Sequence, residues 1–188
     1  IVLSQILKSL KFLDTDEITN SEYQYVKSLV ELEKLSYADR SYYLGDPDFI
    51  KQNFIDSIVS HKYLKKRFSQ INFIKPKKSS EIKHGDIKLY ESKETTHYSI
   101  TDSFGNAVSV TTTLNSNFGS KLISPTLGYF YNNEMDDFSI KPGVPNIYGL
   151  IGGINNSISP EKRMLSSMTP TIIEKNNELF MILGSPGG

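Results

Sequence analysis

The sequence predicts an α+β chain, and three observations carry that prediction. Before Thr95 the chain consists mostly of segments whose apolar residues recur at helical spacing. A polar, basic stretch from Lys75 to Gly85 interrupts that pattern. From Thr95 onward the chain is rich in Thr, Ser, Asn and Gly and opens with apolar residues alternating at the strand period.

Taken in order, Leu3, Ile6, Leu7, Leu10 and Leu13 predict an amphipathic helix over 1–13. Ser21 followed by Gln24 is a capping-box start for a second helix, with Tyr25, Val26, Leu29, Val30 and Leu32 as its apolar face and Tyr37 further along. Glu33 falls inside that face. Tyr42 and Tyr43 beside Arg40 read as an aromatic-rich turn packed on helices. Gly45-Asp46-Pro47-Asp48 is a turn that launches a third short helix. His61 lies in a Lys-rich helix and reads as solvated. Residues 75–85 read as an exposed linker, because no aromatic residues interleave with the lysines as a nucleic-acid surface requires.

The hairpin follows from pattern and turn chemistry. Tyr98 and Ile100 alternate with Ser99 and Thr101, Asp102-Ser103-Phe104-Gly105-Asn106 supplies turn residues, and Ala107 to Leu114 is a β-branched return. If Asp102 pairs with Asn106, Thr95 falls opposite Thr113, with Asn115 just beyond. A Thr hydroxyl needs a base to act as a nucleophile. An N-terminal Thr carries one in its own α-amine, whose unperturbed pKa is about 7.7–8.0. That chemistry would require a cut at Glu94-Thr95. Thr pairs also simply lead into strands, so the hairpin alone leaves both readings open.

Bulk properties narrow the classes. At 188 residues the length suits one domain, and 38% apolar residues permit a core. Lys plus Arg number 21 and Asp plus Glu 21, so net charge gives no reason to expect nucleic acid or an anionic membrane as partner. The absence of Cys excludes disulfides, thiol chemistry and thiolate metal sites. No signal peptide, transmembrane run, His pair at metal-ligand spacing or phosphate loop is present, so neither a metal nor a cofactor is expected. Residue 1 is Ile and the chain stops at Gly187-Gly188 after an apolar run, so both ends read as cuts through a longer protein.

Further motifs follow the hairpin in order: Thr113-Leu114-Asn115, then Asn132-Asn133-Glu134-Met135-Asp136-Asp137-Phe138, then Lys141 to Leu150, Leu165 to Thr171, and Gly184 to Gly188. With Thr95-Thr96-His97-Tyr98-Ser99 they closely resemble γ-glutamyltranspeptidase, an N-terminal-nucleophile hydrolase family whose precursors cleave themselves. Ala38 to Phe49 looks like the stretch late in that family's large subunit, so the resemblance covers essentially all of the chain.

The resemblance implies a partial four-layer αββα sandwich. It makes 1–94 the end of the large subunit, closing at Glu94 in an exposed linker, and 95–188 the first half of the small subunit. It implies that Thr95 is the nucleophile both of self-cleavage and of attack on a γ-glutamyl amide such as that of glutathione. Water, or an amino-acid or dipeptide amine, would then resolve the acyl-enzyme. Thr113 matches the Thr that hydrogen-bonds the nucleophile, and His97 reads as structural support rather than the base. Gly187 and Gly188 match the oxyanion-hole glycines; by themselves they would read as a turn after the strand Leu179–Leu183. Asn115, Glu134 and Asp137 match positions around the substrate α-amino group, although Asp136-Asp137 alone would read as a solvated turn. Ser166 and Ser167 match the α-carboxylate pair, although alone they would read as a helix cap.

Lys141 to Gly153 is loop by composition and resembles the lid, with Tyr148 at the lid tyrosine that reaches Asn115. Neither Arg40 nor Arg163 stands in the motif of the family's carboxylate-binding Arg, which lies further upstream than this chain reaches. The lid and the Asn115, Glu134, Asp137 set argue against the rival amidases, a cephalosporin acylase or a poly-γ-glutamate depolymerase. An unprocessed or inactive homologue with a structural or binding role remains as the non-enzymatic alternative. By family analogy the whole protein is exported, to the periplasm or outside the cell.

Overall fold

The computed structural model describes residues 1–50, 55–82 and 95–186. The chain divides into two compact units, one of Ile1–Leu89 with Ser139–Arg163, the other of Tyr90–Phe138 with Met164–Gly188. The first is helical and the second is built on two β-hairpins, as a mixed helix-and-strand composition requires.

In the helical unit α1 spans Val2–Leu10, α2 Thr15–Thr19, α3 Glu22–Tyr43, α4 Ile55–Ile58 and α5 His61–Phe68. Ser21 caps α3 by accepting the Gln24 N–H on its hydroxyl, as its position before the helix predicts. Ser60 caps α5 in the same way through Tyr63 N–H. Pro47–Phe49 forms the expected turn; residues 51–54 lie outside the described residues, and α4 follows them. His61 is the first residue of α5, exposed, with its ring edge-on to Phe12 at 5.2 Å. Of the expected linker, residues 75–82 are described: Lys75 to Lys78 are exposed, with Lys34 donating to the Lys77 carbonyl, and Ser79–Glu81 forms a 3-10 turn flanked by the half-buried Ile82.

The apolar stripes expected on α1 and α3 are buried only in part: Leu32 is in the core and Ile6, Leu10, Leu13 and Leu29 are half-buried, while other residues of both helices are buried more deeply. In α1 Leu3 and Leu7 are exposed while Gln5 and Ser9 are buried. In α3 Tyr25, Val26 and Val30 are exposed, and the buried row is Ser28, Glu31, Leu32, Leu35, Ser36, Ala38 and Asp39. The reason is a buried polar cluster that fixes how the helices face one another. The Gln5 side-chain amide donates to Asp39 Oδ2 and to the Ile58 carbonyl, each at 3.1 Å. Arg67 stands 3.1 Å from Asp39 Oδ1 and donates to the Leu35 carbonyl. Leu32, Leu35, Ala38, Ile58 and Leu64 pack around it as the apolar core. Burial pushes the Asp39 carboxyl above its ordinary value despite the opposing guanidinium.

In the second unit β1 is Thr95–Thr101 and β2 is Ala107–Thr113, paired antiparallel with Thr95 opposite Thr113 and Thr101 opposite Ala107. Asp102 closes the turn: its carboxylate accepts the N–H groups of Phe104 and Asn106, both at 2.9 Å, and the Asn106 amide at 2.6 Å. Gly105 sits at φ 85°, a conformation that glycine adopts without a Cβ penalty. The second hairpin, β3 Thr171–Lys175 with β4 Glu178–Leu183, turns through Asn176 and Asn177, both at positive φ. The Ser109 hydroxyl donates to the Leu183 carbonyl at 3.1 Å, joining the two hairpins.

Because Asp39 and Arg67 are buried as a pair, Arg67→Ala leaves a carboxylate without its cation. We expect it to destabilise the full-length protein by about 3–5 kcal/mol in urea unfolding followed by circular dichroism.

Candidate active site

Thr95 opens β1 and is half-buried. Its backbone N–H donates to the Pro186 carbonyl at 2.9 Å, so the chain after β4 runs beside the first residue of β1. Opposing residues of an antiparallel pair share a face, so Thr95 and Thr113, His97 and Thr111, and Ser99 and Ser109 form one polar row. His97 is used within this row: Nδ1 lies 2.7 Å from the Thr111 hydroxyl and Nε2 3.1 Å from that of Ser99. A Cβ at Gly184 would lie 2.0 Å from the imidazole, so only a glycine lets the post-β4 segment pass the ring this closely. These contacts fit the reading of His97 as support.

Just past Thr113 the backbone reverses. Asn115 takes φ 76°, a left-handed conformation that Asn tolerates better than most side chains, and it is buried. Its N–H donates to the Thr113 hydroxyl at 3.0 Å and its side-chain amide to the Asn133 carbonyl at 3.1 Å. Asn133 completes the link: its N–H donates to the Leu114 carbonyl, and its side-chain oxygen accepts from both the N–H and the hydroxyl of Ser116, each at 3.0 Å. The sequence reading gave Asn133 no role. Its position in the Asn-Asn-Glu run was the only available signal, and nothing local says which Asn side chain faces inward.

Glu134–Asp137 forms a single 3-10 turn, in which residues three apart eclipse. The two carboxylates therefore face each other and share a hydrogen bond. Burial first, and the Asp137 charge second, push the Glu134 carboxyl up to about 7. Ser166 and Ser167 lie exposed on the stretch before β3, with the Ser166 hydroxyl accepting the Met168 N–H at 3.1 Å.

Tyr148 belongs to the helical unit and is half-buried at the tip of a doubled-back loop. Gly143 donates to the Gly152 carbonyl, Pro145 bridges to Ile151, and the Asn146 side chain accepts the N–H groups of Tyr148 and Leu150. The segment that composition marked as loop is thus internally hydrogen-bonded. Glu94, Gly187 and Gly188 lie outside the described residues. Among the described residues no group of three or more His, Asp or Glu is placed to hold a metal ion, and no helix is long and apolar enough to cross a membrane.

The facing pair makes a direct prediction. Asp137→Asn should lower the Glu134 pKa only part of the way from about 7 toward its ordinary 4.5, because burial, the larger cause, remains. Carbon-detected NMR titration of the Glu134 carboxyl checks this.

The family model for Gamma-glutamyltranspeptidase matches residues 1–188. The glutathione hydrolase proenzyme of Escherichia coli (strain K12) is 48% identical over 184 residues, covering 98% of this chain and 32% of that protein. That of Pseudomonas sp. (strain A14) is 45% identical over 188 residues, covering 100% of this chain and 32% of its own length. The chain therefore spans about a third of the length of these relatives. A crystal structure of a mutant Helicobacter pylori gamma-glutamyltranspeptidase aligns at 59% identity with a TM-score of 0.45, covering 46% of this chain and 47% of that one. The chain belongs to the gamma-glutamyltranspeptidase family.

Proposed function

We propose that the protein containing this chain is a γ-glutamyltransferase and hydrolase that acts on glutathione and related γ-glutamyl amides. In this reading the precursor cuts itself at Glu94-Thr95, and Thr95 becomes both the new N-terminus and the nucleophile. The observation that carries it is the antiparallel register that sets Thr95 opposite Thr113, at the first residue of β1 and directly after Glu94. The word proenzyme in the relatives' names supports processing.

The chemistry follows from an N-terminal Thr. The α-amine takes the hydroxyl proton as Oγ bonds to the γ-glutamyl carbonyl carbon. The resulting oxyanion is held by the N–H groups of Gly187 and Gly188. Collapse breaks the C–N bond, and the leaving amine takes the proton from the α-ammonium, leaving an ester on Thr95. Water or an acceptor amine then repeats the sequence in reverse and frees Thr95. The Pro186 carbonyl, which accepts from the Thr95 nitrogen before cleavage, orients the amine afterwards. Thr113 hydrogen-bonds the nucleophile. Asn115, Glu134 and Asp137 receive the substrate α-ammonium, Ser166 and Ser167 its α-carboxylate, and Tyr148 belongs to a lid.

The remaining parts of the fold, a four-layer αββα sandwich in this proposal, are supplied by the rest of the protein, with 1–94 ending the large subunit and 95–188 beginning the small one. Export to the periplasm or the medium fits the family analogy.

An intact-mass spectrum of the full-length protein tests the proposal. We expect two fragments meeting at Glu94-Thr95, a single chain in Thr95→Ala, and release of aniline from a γ-glutamyl anilide only by the cleaved form. One wild-type chain that stays whole on incubation would sink the mechanism.

Glu134 adds a pH test. The α-ammonium binds the charged carboxylate, so KM for the donor should rise as pH falls through about 7 and level off above it. Glu134→Gln should remove that slope, which initial-rate kinetics across the range would read.

A further inference from the structure

The helix α3 ends in a way that involves sequence from far beyond it. Of its last four carbonyls, that of Arg40 accepts the Leu44 N–H. The other three are taken by one distant loop: Gly153 N–H donates to the Ser41 carbonyl at 2.9 Å, and the Asn155 side-chain amide to those of Tyr42 and Tyr43 at 3.2 and 3.1 Å. The approach is closer than a side chain would allow. A Cβ at Gly45 would lie 2.0 Å from the Asn155 oxygen, and one at Gly153 2.7 Å from the Ser41 oxygen.

A few residues on, the same two segments meet again through charge. Arg163 donates from its backbone N–H to Asp46 at 2.8 Å and from Nε and one terminal nitrogen at 3.0 and 2.6 Å, a bidentate pairing. That terminal nitrogen also reaches Asp48 at 2.5 Å. The Asp46 side chain is 1% exposed and that of Arg163 66%. The buried acid thus depends on a cation that water can reach. Nearby the Lys162 ammonium stands 5.6 Å from the centre of the Phe49 ring.

All of these contacts join residues 41–49, before Thr95, to residues 153–163, after it. We propose that they form a clasp that holds the two products of cleavage together, the end of α3 on one chain gripping the Gly153–Arg163 segment of the other. This rests on the cleavage at Glu94-Thr95 proposed above. Before the cut the clasp closes a loop within one chain. After it, the same hydrogen bonds become an intermolecular interface whose strength sets how readily the chains part.

The experiment mixes isotope-labelled and unlabelled full-length protein after processing, in mild urea, and follows subunit exchange by native mass spectrometry. Arg163→Ala should exchange at least about tenfold faster than wild type, since Asp46 loses its charge-assisted donors. Arg163→Lys should fall between the two, keeping the charge but losing the fork. Added salt should speed wild-type exchange and change Arg163→Ala little, because the exposed guanidinium is the screened partner. Asn155→Ser, which removes the amide donors and leaves the ion pair, guards against a folding defect in the Arg163 variant and should also exchange faster. Two fragments that exchange at the wild-type rate in both variants overturn the clasp alone. A single uncleaved wild-type mass under denaturing conditions overturns the cleavage reading and the clasp with it.

Discussion

The antiparallel register of β1 with β2 is the constraint on which the candidate site depends. Strand side chains alternate with a period of two, so a one-residue slip would turn Thr95 to the opposite face from Thr113 and break up the row of Thr, His and Ser side chains behind them. The turn prevents that slip. Asp102 accepts two backbone N–H groups and a side-chain amide, which holds its carboxyl below the usual range, and Gly105 supplies the one positive φ the loop needs. The far end of the hairpin is fixed independently, by the Pro186 carbonyl at Thr95 and by the Thr113 hydroxyl at Asn115. A residue positioned at a strand terminus, as Thr95 is, needs both ends of the hairpin defined, since strand ends otherwise fray.

Polar groups do much of the organising in the helical unit as well. Gln5, Asp39 and Arg67 are tied together across α1, α3 and α5. Their hydrogen bonds and ion pair are directional, so these groups restrict how the helices face one another. Asp46 behaves differently. Hydrogen bonds from Arg163, then its charge, hold the Asp46 carboxyl well below the carboxylate range. That stabilisation is present above the ordinary carboxylate pKa and is lost only as pH falls toward the depressed one. One buried acid therefore stays charged because donors converge on it, and the other is raised because burial outweighs its partner.

Several features were legible in the sequence because their causes are local. Period-two alternation with an Asp-Ser-Phe-Gly-Asn turn determined the first hairpin and its register, and Ser21 with Gln24 determined the start of α3. The order of short motifs determined the family, and with it the identity of the candidate site residues. Local pattern also predicted the helices themselves, although α2 and the β3 strand carried too few periodic residues to stand out.

What only the tertiary structure decided is which faces are buried and which distant groups meet. Leu3 and Leu7 follow the helical stripe yet are exposed, because the partners of α1 are Asp39 and the Ile58 carbonyl, and no local signal marks them. The Glu134 shift depends on a 3-10 turn eclipsing it with Asp137 and on burial, neither of which composition reveals. Asn133 as the link between the Asn115 turn and the acidic turn, and Asn155 and Arg163 as partners of the end of α3, are long-range pairings. Sequence fixes a residue's chemistry and its local geometry, but a hydrogen bond between residues more than a hundred positions apart exists only once the chain has folded.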